Sequence, residues 1–338
     1  MLRFMGKDTL AKIDRIVGNI HVHPEYSSLI SHKFRTYLVQ EAERHSAGIE
    51  LAGEQALSRK DYEKAKSKSI VGLREAREYL ITHGINLSSF SALSKLIDPD
   101  GNKYAGFRKD IKGTGISVGL VGEDLKPFDP SKIPFAMKDL SDFISEEMNL
   151  HPVTKAIHTH IEFARIHPYE EGNGRASRLV QNLLLEQKAI TPAIIRSADR
   201  EIYLAVLKGA ISDRNNSKSS VYQQSRNEIV FHDFIEAKVL DSTELLENEL
   251  RNRRVYDIDL YNMTGKEVSF SIKKGLSNLA RRYDKSGLKV SLKEHAGDRR
   301  AKIEIIGNVG ISELKPILEN LAGKLHFNYS LTPRKGCC

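Results

Sequence analysis

Cysteine is nearly missing from this chain: of 338 residues only Cys337 and Cys338 carry a thiol. That excludes a disulfide framework, a cysteine-based zinc site and a thiol nucleophile within the fold, and it fits a reducing compartment. No apolar run approaches the ~18 residues a membrane span needs. The first residues, Met1-Leu2-Arg3-Phe4-Met5-Gly6-Lys7-Asp8, form no apolar segment of the secretory kind, so a cytoplasmic protein is expected. What is present, 40% hydrophobic and 28% charged residues, is the composition of a globular protein with a real core. The formal charge of +8 is unevenly spread. Between Lys266 and Ile303 eleven Lys/Arg face four Asp/Glu, so almost all of the excess lies in the last third. Any surface for an acidic partner is expected there.

Along the chain, residues 1–30 show no clear periodicity. Helical patterning begins near Ser31 and continues to about Glu54, resumes at Asp61–Thr82 and Ser88–Leu96, and stops at the turn Asp98-Pro99-Asp100-Gly101. Isolated glycines with Ile116, Val118, Leu120 and Val121 suggest a β-hairpin, and Pro127, Pro130 and Pro134 an extended connector. Helices are expected at Ala136–Asn149, Val153–Ile166, Arg175–Ala189, Ser197–Ser212 and Phe231 to about Asn252. In the second of these, Val153, Ala156, Ile157, His160, Ile161 and Ala164 make one buried stripe. Short strands at 268–272, 288–292, 303–306 and 327–331, with helices at 276–283 and 312–321, read as a small α/β unit. The fold class is mainly α, with a hairpin, plus that terminal α/β domain. The domains expected are 1–100, an N-terminal helical region; 101–215, a catalytic core; 216–257, a helical connector; and 258–338, a basic α/β domain.

Chemistry concentrates in His167-Pro168-Tyr169-Glu170-Glu171-Gly172-Asn173-Gly174-Arg175-Ala176-Ser177-Arg178, which links two apolar-striped helices. Gly172 and Gly174 lack Cβ atoms, so backbone amides at a helix start can approach an anion closely. Arg175 and Arg178, three apart, project near the same mouth, where the helix dipole disfavours cations unless a strongly anionic ligand binds. Glu171 beside bound phosphates calls for a divalent cation between them. His167 titrates where it can accept a hydroxyl proton. These residue types together imply phosphoryl or nucleotidyl transfer.

The set resembles the motif of the Fic (Fic/Doc) family: His, any residue, Phe, any residue, Asp/Glu, Gly-Asn-Gly-Arg, two residues, Arg. Tyr169 stands where Phe is usual, and its hydroxyl needs a partner. Tyr104-Ala105-Gly106-Phe107-Arg108, the hairpin, residues 130–140, His151-Pro152 with Ala156 and His160, and Arg200-Glu201-Ile202-Tyr203 follow the order of features in Fic domains. The resemblance covers about residues 30–215. It implies a helical bundle with a β-hairpin flap, and transfer of AMP from ATP-Mg²⁺ to a Ser, Thr or Tyr hydroxyl of a target protein or of the chain itself. By position, it implies His167 as general base and Glu171 as the Mg²⁺ ligand. Gly172, Asn173 and Gly174 would be the phosphate cradle, Arg175 would lie at the β-phosphate, Arg178 at the γ-phosphate, and Tyr203 on the nucleotide side. A flap at about 113–122, with Ser117, Val118 and Gly119, would clamp the target strand. Relatives that act as kinases carry Lys at the position of Gly174, so this glycine argues for AMP transfer.

His45-Ser46-Ala47-Gly48-Ile49-Glu50-Leu51 resembles the family's inhibitory helix motif, Ser/Thr, three residues, Glu, then Gly/Asn, with Leu51 departing from it. An inhibitory helix at about 38–54 is implied, in which Ser46 and Glu50 share one face. Glu50 would pair with Arg178 and take the place of the γ-phosphate.

Other features read more plainly. His158 and His160 point to different helix faces, so they do not suggest zinc; His160 reads as a hydrogen-bonded core residue. The basic terminal domain reads first as a solvated face and second as a contact for nucleic acid, which makes a nucleic-acid-binding regulator on a Fic scaffold the alternative function. Removal of AMP from a modified partner is another alternative. Gly336-Cys337-Cys338 resembles prenylated ends of small GTPases, which would suit delivery into a host cell, with a plain terminus the default. The sequence leaves a homo-oligomer open.

Overall fold

The computed structural model describes residues 2–23, 29–52, 58–102, 105–109, 128–216, 221–251, 254–261, 274, 289–295, 300–307 and 311–333. The expected flap with Ser117, Val118 and Gly119, the strand at 268–272, the helix at 276–283 and the terminal cysteines lie outside the described residues. The chain forms two compact units, residues 1–17 with 38–243 and residues 18–37 with 244–338.

Helices α1 (Leu2–Val22), α2 (Leu29–Leu51), α3 (Arg59–His83), α4 (Leu87–Ile97), α5 (Ile133–Ser145), α6 (Pro152–Ile166), α7 (Asn173–Gln187), α8 (Arg200–Asn216) and α9 (Arg226–Arg251) follow in order. Side-chain caps set their limits. Ser58 accepts the Asp61 amide at the start of α3, and Gly84 closes its end at φ 80°. Asn86 accepts the Ser89 amide to open α4, and His151 accepts the Val153 amide to open α6, with Pro152 in the first turn. In the first unit α6 and α7 make the most extensive helix pair among the described elements. Ile157, Ile161 and Ala164 of α6 and Val180, Leu183 and Leu184 of α7 belong to the core. Phe163 on α6 meets Phe90 of α4 edge-on, ring centroids 5.5 Å apart.

The first helix and α5 differ from the sequence reading, and α9 begins at Arg226 rather than Phe231. Residues 2–22 form a helix although no periodicity stood out there; its buried residues Ile13, Ile16 and Ile20 recur at helical spacing. Helix α5 begins at Ile133 rather than Ala136, because Pro134 falls in the first turn, where its missing N–H costs nothing.

In the second unit, β1 (Arg254–Tyr261), β2 (Lys289–His295), β3 (Arg300–Gly307) and β4 (Asn328–Pro333) form a sheet in the order β2-β3-β1-β4, and α10 (Ile311–Leu325) packs on it. All three described pairings are antiparallel, with Ile258 opposite Ile303 on one side and Leu331 on the other. Strand β1 straddles the boundary expected between 257 and 258. Its alternation is nevertheless plain: Tyr256, Ile258 and Leu260 are buried with Ile303, Ile305, Leu314 and Leu318, while Asp257 and Asp259 face the other way. The chain is mainly α with a small α/β part, as the sequence implies. No described helix is long and apolar enough to cross a membrane.

Candidate functional site

The loop between α6 and α7 begins and ends on left-handed residues. His167 closes α6 at φ 50°, ψ 61°, its amide donating to Phe163 O at 3.1 Å. Gly172 opens α7 at φ 86°, and a Cβ there would come within 2.5 Å of Ile97 Cγ2, so both the angle and the space require glycine. The loop is braced from inside. Asn173 Oδ1 accepts the Tyr169 amide and its Nδ2 donates to Tyr169 O, both at 2.9 Å. Asn102, just beyond α4, accepts the amides of Glu170 and Glu171 at 3.1 Å and donates to Glu171 O at 3.1 Å. Tyr169 is fully buried against Phe163 and Phe107, and its hydroxyl donates to Phe90 O at 2.6 Å. That supplies the partner the Phe-to-Tyr departure called for.

The His167 imidazole is held down to about 4, first by desolvation and then by the Arg108 guanidinium; a hydrogen bond to the Ala164 backbone and the Glu50 charge oppose this. It is therefore neutral at physiological pH. The ring nitrogen bound to a backbone carbonyl keeps its proton, and the other nitrogen keeps its lone pair. Glu171 is exposed at the turn, with Gly101 so close beneath it that a Cβ there would lie 2.7 Å from Glu171 Cβ.

The two arginines of the motif are both buried and both engaged. Arg175 donates to Asp98 Oδ2 at 2.5 Å, Ile97 O at 3.1 Å and Ser69 Oγ at 3.2 Å. Arg178 is ringed by α2 on one side, donating to Ser46 Oγ at 2.8 Å, Ser46 O at 3.2 Å and Glu50 Oε1 at 2.6 Å. On the other side it donates to the Tyr203 hydroxyl at 3.1 Å and lies over that ring. Tyr203 in turn donates to His160 Nε2 at 3.0 Å, and His160 Nδ1–H donates to Gln181 Oε1 at 2.7 Å. Because Gln181 Oε1 can only accept, the directions along this chain follow. Burial holds His160 neutral, down to about 3, and places it in the core as the sequence reading had it.

Burial raises the Glu50 carboxyl, but Arg178, with the charges of Arg175 and Arg200, outweighs it, and the group ends below its ordinary value. Helix α2 is clasped further by the turn that leads into α8. His45 Nδ1 accepts the Ser197 amide at 3.2 Å, and Arg200 Nε donates to Ile49 O at 2.8 Å. Gly48 lies against Ser197 so closely that any Cβ would strike its hydroxyl. A Cβ on Gly174 would likewise strike Glu50 Oε1 and approach Arg178 Nη1 to 3.2 Å. A cavity of about 540 Å³ opens beside these groups, lined among others by Glu50, Lys68, Asp98, Glu171 and Arg175.

Three of the expected ligand-side residues are engaged within the protein. Tyr203 is fully buried behind Arg178, its hydroxyl used by the guanidinium and His160. The Asn173 carboxamide is bonded at both ends to Tyr169 of its own loop. Arg175 is held by Asp98 in the wall of the cavity. Sequence reasoning also passed over Asp98, Asn102 and Arg108 as site residues. Asp98 carried the signal of a turn, and Arg108 lay in a stretch noted only for its order; Asn102 carried none.

Residues 97–185 match the model of the Fic/DOC family. That segment is similar to a Fic domain. Among curated relatives, it is 29% identical over 145 residues to Protein adenylyltransferase Fic of Culex quinquefasciatus, covering 42% of this chain and 29% of that protein. It is 30% identical over 99 residues to Protein adenylyltransferase fic-1 of Caenorhabditis elegans, covering 29% of this chain and 19% of that protein. The match to the mosquito relative thus spans about three tenths of that protein's length. The fold is similar to that of a Fic domain containing signaling protein from Bacteroides thetaiotaomicron, with TM-score 0.55, 20% identity, and 71% of this chain and 96% of that one covered. It is also similar to Fic-1 from C. elegans, with TM-score 0.51, 17% identity, and 73% and 72% covered. At these identities the structural likeness is one of fold. The loop at residues 167–178 falls inside the matched segment.

Proposed function

We propose that this Fic-domain protein transfers AMP from ATP to a hydroxyl of a protein substrate, and that α2 restrains it. The observation that carries the reading is the coupling of a neutral, left-handed His167 to a glycine-amide helix start whose second arginine, Arg178, is gripped by a carboxylate from another helix. The His167 lone pair takes the proton of the incoming alcohol. The alkoxide oxygen forms a bond to the α-phosphorus, the bond from that phosphorus to the β-phosphate bridging oxygen breaks, and pyrophosphate leaves. The amides at Gly172–Gly174 and the Arg178 guanidinium carry the phosphate charge. An exposed carboxylate at this helix start suits a small hard cation that takes its other ligands from phosphates and water. Glu171 would hold Mg²⁺, which supplies charge neutralisation when bound.

Glu50 and a terminal phosphate compete for one guanidinium. While Glu50 occupies it, the charge that a triphosphate needs is already spent. ATP labelled on the α-phosphate tests both parts. Weak self-labelling by the native chain, strong labelling by Glu50→Gly and none once His167→Ala is added is the expected pattern. Absence of transfer from Glu50→Gly protein overturns the reading, and label arriving only from the γ-phosphate makes the chemistry that of a kinase. One observation favours a second activity on the same site: Glu50, ionised at neutral pH and within electrostatic reach of His167, can orient a water. Release of AMP from a modified protein, lost in Glu50→Gly, would show it.

A further inference from the structure

Arg108 lies just before the segment outside the described residues, and it is buried. Its amide donates to Pro168 O at 2.8 Å, its Nε to His167 O at 2.7 Å and its Nη2 to Phe128 O at 2.7 Å. Among the described residues its Nη1 is enclosed without a partner and no carboxylate pairs with the charge. Burying a guanidinium with no counter-ion is costly, and surface packing alone would be served better by an apolar side chain. The carbonyls of His167 and Pro168 belong to the end of α6, where the helix leaves them unpaired. A non-glycine residue at φ 50° is also strained unless its surroundings fix it.

We propose that Arg108 is the positioning residue of His167: its guanidinium ties the His167 carbonyl to that of Phe128 while its amide holds the next carbonyl, Pro168 O, and so it fixes the left-handed backbone that directs the imidazole at the incoming hydroxyl. The inference rests on the reading of His167 as the base. The Arg108 charge also disfavours a proton on the imidazole, against the opposing effect of Glu50. The role is distinct from substrate binding, because none of the Arg108 contacts reaches the Gly172–Arg178 end of the loop.

The test uses the full chain in the Glu50→Gly background with Arg108→Gln and Arg108→Lys. At saturating ATP the transfer rate is expected to fall on the order of 10²-fold, as for a base misplaced by about 1 Å. ATP affinity, measured by calorimetry, is expected to stay unchanged. Arg108→Lys keeps the charge but loses the fork, so it should not rescue the rate. Histidine ring NMR, with the His167 signal assigned by His167→Ala, provides a readout without turnover: in Arg108→Gln the His167 titration should move up, and in Arg108→Lys it should stay near the native position. Retained rate, a loss explained by weaker ATP binding, or unfolding of both variants would each overturn the role. Should Glu50→Gly itself transfer nothing, the adenylyltransferase reading fails, and an unmoved His167 titration in Arg108→Gln would separately overturn the Arg108 assignment.

Discussion

Arg175 and Arg178 lie one turn apart on α7, both buried and both paired with a carboxylate, yet the two sides of the site are built differently. The partner of Arg175 is Asp98, which ends α4 and also accepts the Gly101 amide at 2.8 Å. Its other acceptors, Ile97 O and Ser69, belong to α4 and α3 of the same core. The acidic partner of Arg178 arrives on α2, one face of which supplies Ser46 and Glu50 together. The Asp98 side chain is 23% exposed and that of Glu50 is 37% exposed. The first pair belongs to the wall of the site, whereas the carboxylate of the second is more open to solvent, and on the proposed reading a ligand would replace it. Tyr203 contacts Arg178 from the other side.

The contrast can be broken most strongly from the wall side. Asp98→Ala strands the Arg175 charge and should cost about 2–3 kcal/mol, less than a fully buried pair because Asp98 is partly exposed. Glu50→Gly should cost less than about 1 kcal/mol while raising transfer. Chemical denaturation of both variants measures the difference, and equal losses would erase the distinction. Gly48→Ala forces α2 off Ser197 without touching Glu50. Crowding of this kind costs about 1–3 kcal/mol, so self-labelling should rise above native but stay below Glu50→Gly. Labelling no higher than native would show that the clasp at Ser197 does not hold the helix.

A pH profile sharpens the other end of the site. His167, depressed to about 4 from the ordinary 6.5, stays a base at every pH above that value. Removing Glu50 removes a charge that favours the imidazolium, so the acid limb of Glu50→Gly turnover should fall at or below about pH 4. A midpoint near 6.5 would mean that the imidazole is solvated. Tyr169→Phe should have the smallest effect, about 1 kcal/mol for the lost bond to Phe90 O, with transfer retained; thermal melting and α-label transfer read both.

The sequence made the helical core and the motif loop legible because both depend on local rules. Apolar spacing declares α6 and α7, and the two glycines declare the turn. Legibility ended where one side chain serves a distant backbone. Asn102 braces residues 69 positions away, and no spacing rule links an asparagine after a turn to a loop in another helix pair. Asp98 was legible as a turn former but not as the acid of Arg175, since a turn and an ion pair use the same carboxylate. The contact between Tyr203 and Arg178 was hidden for a related reason: helical position tells which face a residue occupies, not whether another side chain stands in front of it. Strand β1 was available in principle from its alternation, but it straddles the boundary expected between 257 and 258.

His167, the base of the proposed reaction, is also the residue on which α6 stops. Each residue of an α-helix turns the next by about 100°, so a single insertion between 152 and 166 would rotate the imidazole away from the amides at Gly172–Gly174 while leaving every motif residue intact. On the proposed reading the number of residues in that helix is therefore itself part of the chemistry, invisible to any comparison that looks only at the signature.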